Sequence, residues 1–219
     1  MFERVRVVGR GRVGSALAAR LQERGIAVVE DRAQLVILCI PDQAIADVAR
    51  GVAPGPWIAH VSGATPLAAL DPHTQRFSVH PLQTFTRTRG AEQFDGAWGA
   101  ITGEAPDALS HAAWLANTLG LRTFEIADRD RVIYHAGAVV ASNYLVTLYR
   151  AAAQLVAAAG APPEALVPLM RRTIDNGFEL TGPISRGDLA VVGAHLDAIA
   201  HRAPELAPMY RALAAITAP

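Results

Sequence analysis

Apolar positions in the first half of the chain come in short runs at strand spacing, separated by stretches at helical spacing. Residues 5–8 are a β-branched run, a glycine-rich turn follows, and residues 15–24 carry the alanines and leucines of a helix that Gly25 ends. Residues 26–29 read as a second strand, the uninterrupted apolar run 35–40 as a fully buried third, and 41–50 as a helix with proline at its start. Strands are expected at 57–61, 77–80, 98–102 and 122–126, a helix at 107–119, and Thr65-Pro66 as the cap and first residue of another helix.

Beyond Asp128 the strand pattern stops. Residues 130–159 read as one long alanine-rich helix closed by Gly160, Pro162-Pro163 opens a second reaching Asn176, and Asp188 caps a third that runs to His201. This alternation predicts an α/β fold: a Rossmann-type, mostly parallel sheet with a shortened first half, followed by an all-helical C-terminal domain. The composition shift places the domains at 1–127 and 128–219.

Only residues 31–34 separate the second strand from the third, where a parallel crossover normally takes about ten or more. The usual helix and strand of the first mononucleotide half are therefore missing, and the adenosine end of any nucleotide site is expected to be shallow.

Composition narrows the chemistry. Hydrophobic residues make up 51% of the 219, enough for a real core, and 20 basic residues balance 20 acidic ones. That balance gives no general attraction to nucleic acid or anionic membrane. No uninterrupted apolar run approaches a membrane span and no leader pattern opens the chain, so the expectation is a cytoplasmic protein. All the basic residues are arginines, and the absence of lysine removes Schiff-base chemistry and a lysine general acid. The single cysteine, Cys39, reads as a buried structural thiol, and no histidine has metal-ligand spacing.

Gly9-Arg10-Gly11-Arg12-Val13-Gly14 matches G-x-G-x-x-G between a predicted strand and a predicted helix, the context in which that motif binds a dinucleotide. Its first glycine permits the tight turn, its second lets the backbone approach a diphosphate, and its third lets helix and strand pack closely. Glu30 or Asp31 lies where an acidic group reads the ribose of NAD, whereas Arg10, Arg12 or Arg32 could accept the extra phosphate of NADP. The choice between NAD and NADP stays open.

His135 and Ser142 are seven residues apart and would share one face of a regular helix, with Asn143 at its flank. A histidine there could move the proton that accompanies hydride transfer, with Asn143 and Ser142 orienting a carbonyl or imine. The competing reading is a histidine held as hydrogen-bonded structure. Ser62 and His80 each follow a predicted strand, and the carboxyl ends of strands line the ligand crevice of an open α/β sheet. Ser62 lacks the G-x-S-x-G elbow, so it suits hydrogen bonding to substrate better than nucleophilic attack. Arg186 reads as a partner of the helix cap at Asp188.

From Pro41-Asp42 onward the chain resembles the phosphogluconate-dehydrogenase-like superfamily, which includes pyrroline-carboxylate reductase and deazaflavin-dependent NADP reductase. His60-Val61-Ser62-Gly63, the stretch from Ser78 to Phe85, Tyr134-His135-Ala136-Gly137-Ala138 through Ser142-Asn143-Tyr144, and the stretch from Leu180 to Asp188 are similar to signatures of a bacterial family joining a Rossmann-like domain to a helical domain of unknown function. The resemblance implies an NAD(P)-dependent oxidoreductase, with Pro41 and Asp42 joining the glycine loop at the cofactor; it supplies no substrate, and the leading expectation from the residues is a small carbonyl, hydroxyl or imine compound. It also implies a homodimer formed through the helical domain. Where hydroxyacid dehydrogenases of the superfamily carry a lysine one turn before an asparagine, this chain has Val139. The alternative expectation, from the short 31–34 segment, is a non-catalytic dimeric binding protein with a degenerate cofactor site.

Overall fold

The computed structural model describes residues 1–217, and its first half is built on one sheet. Seven strands lie in the order β2-β1-β3-β4-β5-β6-β7: β1 (Arg4–Val8), β2 (Ala27–Val28), β3 (Leu35–Leu38), β4 (Trp57–His60), β5 (Arg76–Leu82), β6 (Trp98–Gly103) and β7 (Arg122–Glu125). All neighbours pair in parallel except β5 and β6, which are antiparallel. The α-helices here are α1 (Arg12–Glu23), α2 (Asp42–Arg50), α3 (Pro106–Leu119) and α4 (Arg131–Val139). One cluster of buried side chains, including Leu17, Leu21, Ile37, Phe77 and Leu115, joins α1 and α3 to the sheet. A second, with Leu38, Ile45, Ile58 and Leu67, lies around α2. β3 is buried at every position, the pattern of a central parallel strand covered on both faces.

The missing crossover has a simple geometry. β2 pairs only with the first residues of β1, Arg4 with Ala27 and Val5 with Val28, and β3 begins opposite Val5 on the other side. The chain has climbed no distance along the sheet, so residues 29–34 suffice to pass from one side of β1 to the other. The connector is tied to the start of β1: the amides of Glu3 and Arg4 donate to Gln34 Oε1, and Arg4 Nε donates to the Arg32 carbonyl.

Two local expectations are corrected. Thr65-Pro66 opens no α-helix, only a 3₁₀ turn at Leu67–Leu70, whose first amide donates to Asp128 Oδ1 at 3.0 Å, a carboxylate brought in from beyond β7. The long helix is not uniform either: a π-helical turn, Val140–Tyr144, separates α4 from α5 (Leu145–Ala158). Seven-residue arithmetic at 3.6 residues per turn does not carry through a π turn, so the shared face expected of His135 and Ser142 loses its basis.

The chain separates into two compact units, Met1–Val139 and a second beginning at Val140. Composition shifts at Ala127, but α4 stays with the sheet because its first residue, Arg131, is completely buried there. The second unit holds α5, α6 (Leu166–Asp175), α7 (Leu189–Arg202) and α8 (Ala207–Thr217). Asp188 caps α7, its Oδ1 accepting from the Val191 amide, and Arg186 donates to the Thr181 carbonyl. Measured over 18 residues, the continuous helical stretch Asp128–Ala158 reaches a mean hydropathy of 1.2, long and apolar enough by length and composition to cross a membrane.

Candidate functional site

The glycine loop separates the duties of its three glycines cleanly. Gly9 has φ +101°, and a Cβ there would strike the Cys39 carbonyl and lie 2.9 Å from Ile40 Cγ2. A Cβ on Gly14 would run into the Gly9 carbonyl and sit 3.0 Å from Cys39 Cβ. Both positions are forced by packing of the turn against the end of β3. Gly11 is different: its φ of −73° suits any residue, and a Cβ there would meet nothing within 4 Å. The fold does not require glycine at Gly11, so the space above it is what the residue preserves. Gly11 also caps α1 without a side-chain bond, leaving the first-turn amides with no side-chain acceptor. A diphosphate fits this donor set and this opening.

Glu30 follows β2 and makes long ion pairs with Arg6 and with Arg10 of the glycine loop, each at 3.7 Å. Pro41 and Asp42 sit at the start of α2, both exposed. The Cys39 thiol, pushed up to about 12 by burial, stays protonated and packs against the loop.

A second group of side chains gathers around the loop after β4. Ser62 Oγ donates to Asp42 Oδ2 at 2.8 Å, lies 2.9 Å from Thr65 Oγ1, and accepts from the amides of Ala64 and Thr65. That hydroxyl is engaged in shaping the turn. The next residue, Gly63, is required by two imidazoles: a Cβ there would lie 2.5 Å from His135 Cδ2 and 2.9 Å from His80 Nε2. The His80 and His135 rings meet edge to face at 5.8 Å. Among the described residues no third histidine, cysteine or carboxylate joins them to form a metal-ligand group.

Tyr134 is a hydrogen-bond partner of His80. Its hydroxyl lies 2.8 Å from His80 Nδ1. Burial pushes Tyr134 up to about 12, while burial first, then the neighbouring His135 and Arg131, hold His80 down at about 4. Both are neutral near pH 7, so the contact is made either by the phenol donating to Nδ1, with the ring proton on Nε2 over Gly63, or by Nδ1–H donating to the phenol oxygen.

Beneath this group lies Arg131, with none of its surface exposed. One guanidinium nitrogen donates to Ser78 Oγ at 2.5 Å and Thr102 Oγ1 at 3.0 Å, and the other to the Ser62 carbonyl. Its closest carboxylate, Asp128, is 3.9 Å from Nε. Arg131, Tyr134 and His135 stand at i, i+3 and i+4, one face of α4, a spacing that could have drawn attention to all three.

The sheet-bearing unit thus brings together Asp42, Ser62, His80 and His135, with the glycine loop at the end of β1, which β3 separates from β4. Ser142 and Asn143 belong to the helical unit, where Ser142 Oγ donates to Asn143 Oδ1 at 3.4 Å. Sequence reasoning gave no site role to Arg131, and none to Tyr134 or Gly63 beyond their place in the quoted motifs.

Solved structures share this architecture. A Bacteroides fragilis protein provisionally described as an NADP oxidoreductase superposes with a TM-score of 0.81 at 23% identity, over 97% of this chain and 96% of that one. A Thermotoga maritima protein gives 0.78 at 23% identity, again over 97% and 96%. An imine reductase from Streptomyces aurantiacus gives 0.68 at 19% identity over 96% and 92%. These likenesses establish a Rossmann-type fold with a helical C-terminal region. None of the curated proteins is significantly similar to the chain. The model of the domain of unknown function DUF2520 matches residues 97–217, from the beginning of β6 to the end of α8. The chain belongs to the DUF2520 family.

Proposed function

We propose that the protein is an NAD(P)-dependent oxidoreductase acting on a small carbonyl, hydroxyl or imine compound. The observation that carries this reading is Gly11, whose lack of a side chain serves no contact within the protein and leaves open the approach to the amides of α1. The similarity to a Bacteroides fragilis protein described as an NADP oxidoreductase and to an imine reductase supports it. Gly9 to Gly14, with Pro41 and Asp42 beside them, would hold the dinucleotide. The nicotinamide, when bound, supplies or accepts the hydride. Reduction of a carbonyl or imine also consumes a proton, and His135 is placed beside His80 to provide it. In the tautomer in which Tyr134 donates to Nδ1, His80 Nε2–H donates to the substrate heteroatom and orients it.

Titration of the purified protein with NADH and NADPH tests this directly. Binding of at least one is expected, and Gly11→Val, which fills the open space with a branched side chain, should abolish it with the fold unchanged by circular dichroism. Absence of binding to the unmutated protein removes the oxidoreductase reading. The short connector 29–34 favours one alternative, a dimeric binding protein without turnover, which would show ligand binding and no hydride transfer to any carbonyl or imine.

We further propose a homodimer. Val140, Tyr144, Leu145, Val146, Leu169, Leu180 and Leu189 are all exposed on the helical unit, and none of the most apolar stretch of Asp128–Ala158 is buried within the chain. A second copy covering these residues accounts for them without a membrane. Light scattering in detergent-free buffer at micromolar concentration should give twice the 23.2 kDa chain mass, and a single-chain mass would refute the dimer.

A further inference from the structure

Beside the glycine loop lies a cavity of about 310 Å³ whose far wall belongs to a different loop. Arg10, Gly11, Arg12 and Ser15 form one wall, and Arg87 and Arg89, from the loop between β5 and β6, form the other. Four arginines therefore face one small space in a chain whose net charge is zero. Their charges are poorly compensated. Arg12 and Arg87 have no carboxylate within 4.0 Å among the described residues, Arg10 meets Glu30 only at 3.7 Å, and Arg89 meets Glu92 only at 3.6 Å.

We infer that the loop Thr86–Gly90 is an anion clamp for the diphosphate of a bound dinucleotide, with Arg87 and Arg89 closing on the phosphates that the start of α1 receives. The inference rests on the dinucleotide reading above and adds to it the residues that supply the charge. Arginine forks suit phosphate oxygens because two N–H groups meet two oxygens at once.

The loop is built rather than merely present. Gln93, 1% exposed, accepts from the Thr86 amide at 2.7 Å through Oε1, and its Nε2 donates to the carbonyls of Arg89 and Gly90, each at 2.9 Å. Arg20 of α1, also buried, donates to the Ala91 carbonyl at 2.7 Å and to Asp95 Oδ1 at 2.6 Å, tying the loop to the same helix whose first turn faces the cavity. The two arginines project from a turn fixed from below, so less backbone order is lost when an anion binds.

The clamp also answers the shortened first half of the fold. With no helix between β2 and β3, the adenosine end offers a carboxylate, Glu30, that would repel an added ribose phosphate, and Glu30 does not line the cavity. Affinity then has to come from the phosphates common to NAD and NADP.

Calorimetric titration of the full chain with NADH, NADPH, ADP-ribose and inorganic pyrophosphate, for the unmutated protein, Arg87→Gln, Arg89→Gln and the double variant, tests the clamp. All four ligands are expected to bind the unmutated protein. Each single substitution should weaken every ligand by about tenfold, the scale of a charge-assisted hydrogen bond, with a shallower salt dependence. Variants that bind dinucleotides as the unmutated protein does overturn the clamp and leave the cofactor reading standing. Loss of NADPH alone, with NADH and ADP-ribose unchanged, overturns it in favour of a ribose-phosphate reader. An unmutated protein that binds none of the four overturns both.

Discussion

Arg131→Met is expected to lower the stability of the protein by about 2–4 kcal/mol, read as a lower urea midpoint at unchanged slope. Two effects oppose each other. Methionine removes a guanidinium that is fully buried with its carboxylate partner no closer than 3.9 Å, and relief of that desolvation stabilises the variant. Against this, the Ser62 carbonyl and the hydroxyls of Ser78 and Thr102 lose their donor inside the protein, at about 1–3 kcal/mol for each group left unpaired. Thr102 keeps its bond to the Ile126 carbonyl, so the loss falls mainly on Ser62 and Ser78. Three contacts outweigh one weakly compensated charge, and the turn carrying Ser62 and Gly63 loosens. A raised midpoint would show that charge burial costs more than the contacts return.

The same variant has a second readout. Arg131 is among the causes that depress His80, behind burial and His135. Its removal should move the His80 titration upward from about 4, followed by the ring proton resonances. A histidine depressed in the folded state draws no stability from protonation, so the unmutated protein should lose stability as pH falls from about 6.5 towards 4, where the unfolded chain binds the proton and the native one does not. In Arg131→Met that acid-side loss should shrink.

What the sequence revealed was whatever depends on local backbone. Gly9 and Gly14 announce a strand, a turn and a helix because each is dictated by contacts a few residues away or by the adjoining strand. The cap at Asp188 was legible for the same reason. The antiparallel direction of β6 was not, because strand periodicity is identical in both directions. Thr65-Pro66 looks like a helix start but is held by Asp128, from beyond β7, which no local pattern announces. The π turn at Val140–Tyr144 leaves no mark in an alanine-rich stretch, and its presence removes the reasoning that joined His135 to Ser142. Arg131 and Gln93 were passed over because arginine and glutamine are read as surface residues by default, whereas both are buried by partners distant in sequence.

His135→Ala should lower turnover by ~10²-fold or more once a substrate is found, the scale of a lost general acid or base. The histidine lies against His80 at 5.8 Å between rings, both over a glycine whose missing side chain makes room for them. With no lysine in the chain, and with Tyr134 raised to about 12 and hydrogen-bonded to His80, histidine is the side chain suited to move a proton near neutral pH. His80, held at about 4, stays neutral, and in the proposed reading it presents Nε2–H to the substrate while His135 moves the proton. Tyr134→Phe separates them: with the tautomer of His80 released, substrate orientation should suffer and KM should rise more than kcat falls. In His135→Ala the order reverses, with kcat falling and NADH or NADPH affinity within about twofold of the unmutated protein, because binding at Gly11 does not involve the ring. Turnover unchanged in His135→Ala would return that histidine to a packing role against His80 and Gly63, and would leave the dinucleotide site at the glycine loop to stand on its own titration.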